Sequence, residues 1–335
     1  MLSYFKIDNI ETIKMTKNLT STISKEIEHL NNSLVASISS EIDLATEISD
    51  YLVNSGGKRV RPILCILTAK ALGYEGQELI KLASSIELLH TATLIHDDVV
   101  DQSSTRRGKE SIQNKWDNSH GVLVGDFVYS KAFQLMADLK NPEIIKILAD
   151  STNVISEGEV LQLSLKGKGV ISEESYFEII KRKTAELFKA ASLSAAVLSN
   201  ASREQIRSAG EFAFSLGIAF QIQDDLLDYM GDEVLTGKKI GKDFEEKKIT
   251  LPIIKTLELV SEEEKNLILD QFIKGDTDCL QDIISSIKDS GAIKEVQKIS
   301  DQYTEVCYEK LSSFPESIYK EELLLILKNL QKRDS

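Results

Sequence analysis

Proline is almost missing from this chain: Pro62, Pro142, Pro252 and Pro315 are the only four in 335 residues, and no Pro/Gly/Ser-rich linker separates two halves. That excludes a string of tethered modules. The length alone permits two domains, but the composition predicts one domain over 1–335, with 1–20 as a flexible N-terminal segment. Cysteine is as scarce. Cys65, Cys279 and Cys307 are odd in number and far apart, which excludes a disulfide framework and a Cys-x-x-Cys metal site and predicts free thiols in a reducing, cytoplasmic compartment. No run approaches 18 apolar residues, so no membrane span is expected. Lys6, Asp8, Glu11 and Lys14 interrupt the first short apolar stretches, unlike a signal peptide. Positive charge is also in short supply: 40 Lys and Arg face 53 Asp and Glu, a formal net charge of −13. So acidic a surface repels nucleic acid and anionic lipid, and an anionic substrate must be caught by a local cationic pocket or a metal.

What the chain has in quantity is Leu, Ile, Ala, Glu and Lys, the residues of helices. Amphipathic spacing recurs from about residue 20 onward, and no stretch alternates with period two, so the expected class is all-α. Pro62 and Gly73 bracket a mostly buried helix. Residues 80–101 form a longer one, apolar on several sides, as at the middle of a bundle. Asn141-Pro142-Glu143 starts another, with Asn as cap and Pro at the first helical position. Further helices are expected over 121–139, 142–166, 172–198, 203–231, 251–260, 262–272, 278–289, 291–312 and 316–332.

Two segments carry the chemistry. Asp-Asp-x-x-Asp occurs at 97–101 and again at 224–228, each time closing an apolar helical run, TATLIHDDVVD and IAFQIQDDLLD. On a helix Asp97 and Asp101 share a face one turn apart, as do Asp224 and Asp228, with Asp98 and Asp225 adjacent. Such carboxylates suit a hard cation, above all Mg²⁺, which takes one or two of them plus phosphate oxygens and water. Charge placed where a helix is otherwise buried is too costly to keep without a partner. Two helices facing one another turn the motifs into opposing walls of one site.

The few cations are grouped. Gly56-Gly57-Lys58-Arg59-Val60-Arg61-Pro62 is a Gly-led loop opening a helix, suited to a diphosphate. Arg106-Arg107-Gly108-Lys109 follows the first acidic motif. Lys181, Arg182, Lys183 and Thr184 form a third group, and Lys238, Lys239, Lys242, Lys247 and Lys248 a fourth. His90, nearly two helical turns before Asp97, points roughly the same way and can reach a phosphate; His96 reads as a supporting residue. No Ser-His-Asp or Cys-His pattern, phosphate-binding Walker loop or zinc spacing occurs.

These blocks stand in the order GGKRVRP, ELLHTATLIHDDVVDQSSTRRGK, GVLVGDF, EGEVLQL, KTAELF, FQIQDDLLDY and GKKIGKDFEEKKITLP. In that order, over about residues 20–333, the chain resembles the trans-polyprenyl diphosphate synthases, and within them most of all the bacterial octaprenyl diphosphate synthases. The resemblance implies a single-domain bundle of mostly antiparallel helices around a deep central cavity, a homodimer and about three Mg²⁺. Asp97 and Asp101, with Asp98 in support, hold two on the allylic diphosphate, and Asp224, with Asp225 and Asp228, holds the third. It implies that Lys58, Arg61, His90 and Arg107 grip isopentenyl diphosphate. Arg106, Lys183 and Lys238, with Lys248 a weaker candidate, neutralise the allylic diphosphate, and Thr184 and Gln221 turn dipoles to the developing carbocation. Lys183, Thr184, Gln221 and Arg106 are thereby the catalytic candidates. Lys247 stands where the family often has Gly, which puts the local loop geometry in question.

Product length follows from the same resemblance. Bulky aromatics just ahead of the first acidic motif stop growth early in this family, and here those positions are the small Ala92 and Thr93. A medium or long product is therefore expected, grown most naturally from farnesyl diphosphate to octaprenyl diphosphate for quinone side chains. Phe133, Leu135 and above all Met136 are the candidates for the floor of the tunnel. The alternatives are a shorter- or longer-chain synthase, a type I terpene cyclase, or a non-catalytic synthase subunit. A cyclase leaves the GGKRVRP cations without a second diphosphate, and a non-catalytic subunit tends to lose acidic residues, whereas all six Asp are present.

Overall fold

The structure is a computed structural model that describes residues 21–53, 56–106, 108–166, 172–230, 240–274 and 277–331. The N-terminal segment expected over 1–20, Arg107 and Lys238 lie outside them. The described residues are helical nearly throughout. Helices α1 (Ser24–Ser37) and α2 (Asp43–Val53) lead into α3 (Val60–Ala71), with Pro62 in its first turn and Gly73 just past its end.

Helix α4 (Glu78–Asp101) is the centre of the molecule. Leu79, Leu82, Ile86, Leu88, Leu89, Ala92 and Ile95 are all buried, on several sides of the helix, as its all-round apolar character predicts. It leads through a two-stranded hairpin, β1 (Thr105–Arg106) against β2 (Lys109–Glu110), into the short α5 (Ile112–Lys115). The sequence shows no sign of this hairpin, because strands of two residues have no period to read. Helix α6 (Asn118–Asp138), capped by Asp117 on the His120 amide, runs back along α4. Asn141 caps α7 (Pro142–Leu165) by accepting from the Glu143 and Ile144 amides, as the sequence predicts.

The helix expected over 172–198 is broken. Helix α8 (Glu173–Ile180) passes into a five-residue π-helical turn, Lys181–Ala185, and resumes as α9 (Glu186–Leu198). Helix α10 (Arg203–Met230) lies against α9 and the wide turn on one side and against α15 (Ala292–Leu311) on the other. Between them come α11 (Lys242–Glu245), α12 (Leu251–Leu259), α13 (Glu262–Lys274) and α14 (Leu280–Ser290), and α16 (Ile318–Gln331) closes the chain.

Two apolar clusters share α10 and α15. One gathers α1, α3, α4, α6, α7, α9 and α16 around Leu64, Leu88, Phe188 and Phe212; the other gathers α8, α12, α13 and α14 around Ile222, Tyr229, Phe244 and Ile254. Cys65 and Cys307 are buried and Cys279 half-buried, all as free thiols. Among the described residues no helix is long and apolar enough to cross a membrane.

Candidate active site

The last turn of α4 carries Asp97, Asp98 and Asp101, which do not share one environment. Asp98 is 3 % exposed and accepts from Arg106, at 2.9 Å from Nε and closer still from a terminal guanidinium nitrogen. Burial raises its carboxyl, and Arg106 offsets only part of that rise. The hairpin makes this pair by folding β1 back over the end of α4, where Gln113 also donates to the Asp98 carbonyl at 2.7 Å. Asp101 is half-buried and holds two lysines, Lys248 at 3.0 Å and Lys166 at 3.4 Å. Burial works to raise its carboxyl, but these cations outweigh it and hold the group below the ordinary range. Asp97 faces Lys183, 3.6 Å away.

The opposite wall is the last two turns of α10. Both oxygens of Asp225 are engaged: the Tyr176 hydroxyl donates to Oδ2 at 2.6 Å and the Gln221 amide to Oδ1 at 2.7 Å. Both oxygens of Asp228 are engaged too, by the backbone amides of Lys242 (3.2 Å) and Asp243 (2.9 Å) at the start of α11. Asp224 is half-buried beside them. Burial, and then the charges of Asp224 and Asp228, push Asp225 up to about 7 against the pull of its two donors. Asp243 is raised as well, by burial and by Asp225 and Asp228.

The wide turn at Lys181–Ala185 joins the walls. Lys183 reaches Glu159 at 2.7 Å and Gln162 at 2.9 Å on α7, besides Asp97 on α4. Thr184, 8 % exposed, donates to the Gln221 Oε1 at 2.8 Å. Two glycines let the turn sit so close. A Cβ on Gly158 of α7 meets the Lys183 backbone nitrogen at 3.1 Å and the Arg182 Cβ at 2.8 Å, and one on Gly217 of α10 meets the Ala185 Cα at 2.7 Å. A side chain at Gly217 therefore forces backbone apart, and π-helical turns are rare enough that one under such constraint points to function. Glu159, pressed by burial and by Asp97 against the opposing pull of Lys183, is pushed up to about 7.

The GGKRVRP loop lies against α4. Arg59 is left-handed (φ 49°) and pairs with the buried Glu87 at 2.6 Å; one turn further along α4, Arg61 meets the His90 Nε2 at 3.1 Å and stacks 4.7 Å over the Phe188 ring. Lys58 is exposed at the same loop. His96, set apart as a supporting residue, lies 3.2 Å from the Val122 carbonyl.

The structure thus brings together Asp97, Lys183, Thr184, Gln221 and Asp225 in one chain of contacts, and Arg106, Lys248, Asp98 and Asp101 in another. Arg61 and His90 form a third group. Ala92 and Met136 are buried between α4 and α6, and the Thr93 hydroxyl donates to the His90 carbonyl at 2.8 Å. Phe133 is 42 % exposed and meets the Tyr129 ring edge-on at 5.1 Å. Sequence reasoning missed Tyr176, Glu87 and Glu159, because a Tyr or Glu within an apolar helical period reads as core or as solvated face. Lys166 was missed as one more surface lysine.

The donors fit a hard divalent cation. They are all oxygens, and Asp97, Asp101 and Asp224 are half-buried rather than sealed off, so a hard cation can reach them. Among the described residues no group of three or more His, Cys, Asp or Glu is placed to hold a metal ion by itself.

A helical bundle with an acidic motif on each of two facing helices, and lysines and arginines between them, is the architecture of the all-α isoprenoid synthases. Comparison with known proteins agrees: the polyprenyl synthetase model matches residues 42–289. The chain is 39 % identical to an all-trans-nonaprenyl-diphosphate synthase (geranyl-diphosphate specific) of Rhodobacter capsulatus, over 93 % of this chain and 96 % of that one. It is 34 % identical to the octaprenyl diphosphate synthase of Escherichia coli, over 93 % and 97 %. A solved structure of polyprenyl synthase from Caulobacter crescentus, complexed with calcium and isoprenyl diphosphate, superposes with a TM-score of 0.90 at 31 % identity, covering 98 % and 100 %. The chain belongs to the polyprenyl synthetase family, and its activity is that of a trans-prenyl diphosphate synthase.

Proposed function

We propose that this protein, as one domain in a cytoplasmic homodimer, adds isopentenyl diphosphate head-to-tail to farnesyl diphosphate and stops at octaprenyl diphosphate, the precursor of a quinone side chain. The observation that carries the reaction is Lys183, which links Asp97 on one wall to the turn whose Thr184 meets Gln221 on the other. Exposed Val122, Leu123 and Phe133 on α6 support a second copy.

About three Mg²⁺ complete the site, two held by Asp97 and Asp101 with Asp98 in support and one by Asp224 foremost, with Asp225 and Asp228 beside it. When bound, the ions neutralise the leaving diphosphate as its charge develops. The chain's own residues do the rest. Arg106, Lys183, Lys238 and Lys248 take up the allylic diphosphate, for which Arg106, Lys183 and Lys248 exchange carboxylate partners for phosphate oxygens. Thr184 and Gln221 aim oxygens at the allylic carbon as it becomes cationic. Lys58, Arg61, Arg107 and His90 hold isopentenyl diphosphate so that its double bond lies alongside that carbon. The new carbon–carbon bond forms as the carbon–oxygen bond to diphosphate breaks, and the proton lost from the adduct goes to the departing diphosphate. No protein nucleophile is needed.

The R. capsulatus relative supports a second reading, a nonaprenyl product from geranyl diphosphate. Incubating the purified protein with Mg²⁺, either primer and labelled isopentenyl diphosphate, and sizing the dephosphorylated products by mass spectrometry, separates the two. A dominant C40 alcohol, made best from farnesyl diphosphate, is expected. A C45 product establishes the second reading, and no incorporation by folded protein refutes both.

A further inference from the structure

Tyr176 has no part in any of these assignments, yet it is 4 % exposed and its hydroxyl ends on the Asp225 carboxylate at 2.6 Å. The other Asp225 oxygen accepts from the Gln221 Nε2 at 2.7 Å, and the Gln221 Oε1 accepts from the Thr184 hydroxyl at 2.8 Å. An amide has one donor end and one acceptor end. With Nε2 committed to Asp225, Oε1 faces Thr184, which leaves one lone pair on the amide oxygen and two on the hydroxyl oxygen for other partners. Direction is fixed along the whole run, from Tyr176 on α8 to Asp225 and Gln221 on α10 to Thr184 in the wide turn. Asp225 itself, 4 % exposed and engaged at both oxygens, is poorly disposed to a cation.

We infer that Tyr176 is a positioning residue for the condensation, acting with Asp225 to aim the Gln221 amide oxygen at the reacting carbon, and that Asp225 serves this purpose rather than holding a metal ion. The inference rests on the proposed roles of Thr184 and Gln221 and narrows that of Asp225. If Tyr176 is lost, Asp225 is held at one oxygen only and can swing, and Gln221 loses the fixed partner that keeps its oxygen forward. The binding of either diphosphate does not pass through these atoms. The cost therefore falls on the rate of the chemical step and not on substrate or Mg²⁺ affinity.

Tyr176→Phe removes the hydroxyl and keeps the ring. Asp225→Asn keeps the shape but turns one acceptor into a donor, so that either the Tyr176 hydroxyl or the Gln221 amide must turn to accept, and a Gln221 that turns withdraws its oxygen from Thr184. For each variant kcat, the KM for both diphosphates and the Mg²⁺ activation midpoint are measured beside thermal unfolding. The expected result is a kcat lowered by about tenfold or more, the range for a residue that orients a catalytic group, with both KM values and the Mg²⁺ midpoint within about twofold of the parent. An Mg²⁺ midpoint that rises severalfold in Asp225→Asn makes Asp225 a metal ligand and overturns the inference. So does an unchanged kcat in Tyr176→Phe, or a loss no larger than the unfolded fraction. No turnover by the unaltered protein sinks the underlying reading itself.

Discussion

Arg59 occupies a left-handed backbone conformation (φ 49°), which costs a residue with a side chain about 1 kcal/mol or more. The compensation is visible in its guanidinium, paired with Glu87 at 2.6 Å, where Glu87 is 2 % exposed. Lys58 and Arg61 flank it, so the strained residue sets the direction in which both neighbours leave the loop. Glu87→Gln keeps the hydrogen-bond acceptor and removes the charge. We expect the KM for isopentenyl diphosphate to rise about tenfold, as for a small misplacement of a binding group, with the KM for the allylic diphosphate little changed; steady-state kinetics with each substrate varied decides it. Nothing in the sequence announces this pair. Glu87 sits within an apolar helical run and Arg59 within a cluster already read as cationic, so their partnership depends on a backbone turn that no spacing rule encodes. The Asp triads were legible for the opposite reason: acidic residues repeated at one-turn spacing after two buried runs conflict with burial, and that conflict shows in the letters alone.

Helices were read from the sequence nearly to their ends wherever a cap or a breaker marks them, as with Asn141 and Pro142 at α7 or Gly73 after α3. The exception is the run over 172–198. Apolar residues continue on both sides of Lys181–Ala185, so averaged periodicity passes over the wide turn, although the turn is what delivers Lys183 and Thr184. Ala92 on α4 (0 % exposed) and Met136 on α6 (1 %) are both buried, and product length is the property expected to report on them. Lengthening the side chain on α4 by Ala92→Tyr should end growth several isoprene units early. Removing most of the side chain on α6 by Met136→Ala should let it run longer, at a stability cost of about 2–5 kcal/mol if the space stays empty. Product sizing by mass spectrometry checks both, and unchanged distributions in the two variants together remove α4 and α6 from the control of length.

Across the whole molecule, buried and half-buried carboxylates tie stability to pH. Asp225 and Glu159, each pushed up to about 7 with burial the largest cause, keep protons in the folded chain that an unfolded chain releases near pH 4. The folded state binds more protons over that window, so stability falls as pH rises from about 4 to about 7, by about 1.4 kcal/mol per pH unit for each such group. Asp101 and Glu246, held low by Lys248 against the opposing effect of burial, act the other way and withdraw their support only as pH drops below about 4. In chelator, the thermal midpoint is therefore expected to decline between pH 5 and 8. Asp225→Asn should flatten that decline, and Mg²⁺ with a diphosphate should raise the midpoint by binding the folded chain. A midpoint that climbs from pH 5 to 8 in chelator contradicts this distribution of charge.

The π-helical turn has a consequence for how this chain relates to others of its kind. A π turn spends one residue more than an α turn over the same path, and one residue is about 100° of rotation on a regular helix. Lys183 and Thr184 face the cavity because the count is one too long, and Gly158 and Gly217 leave room for the surplus. The reactive geometry is in that sense stored as an insertion rather than as a substitution. A chain matching this one letter for letter around the turn but shorter by one residue within it would keep every catalytic side chain and point them the wrong way.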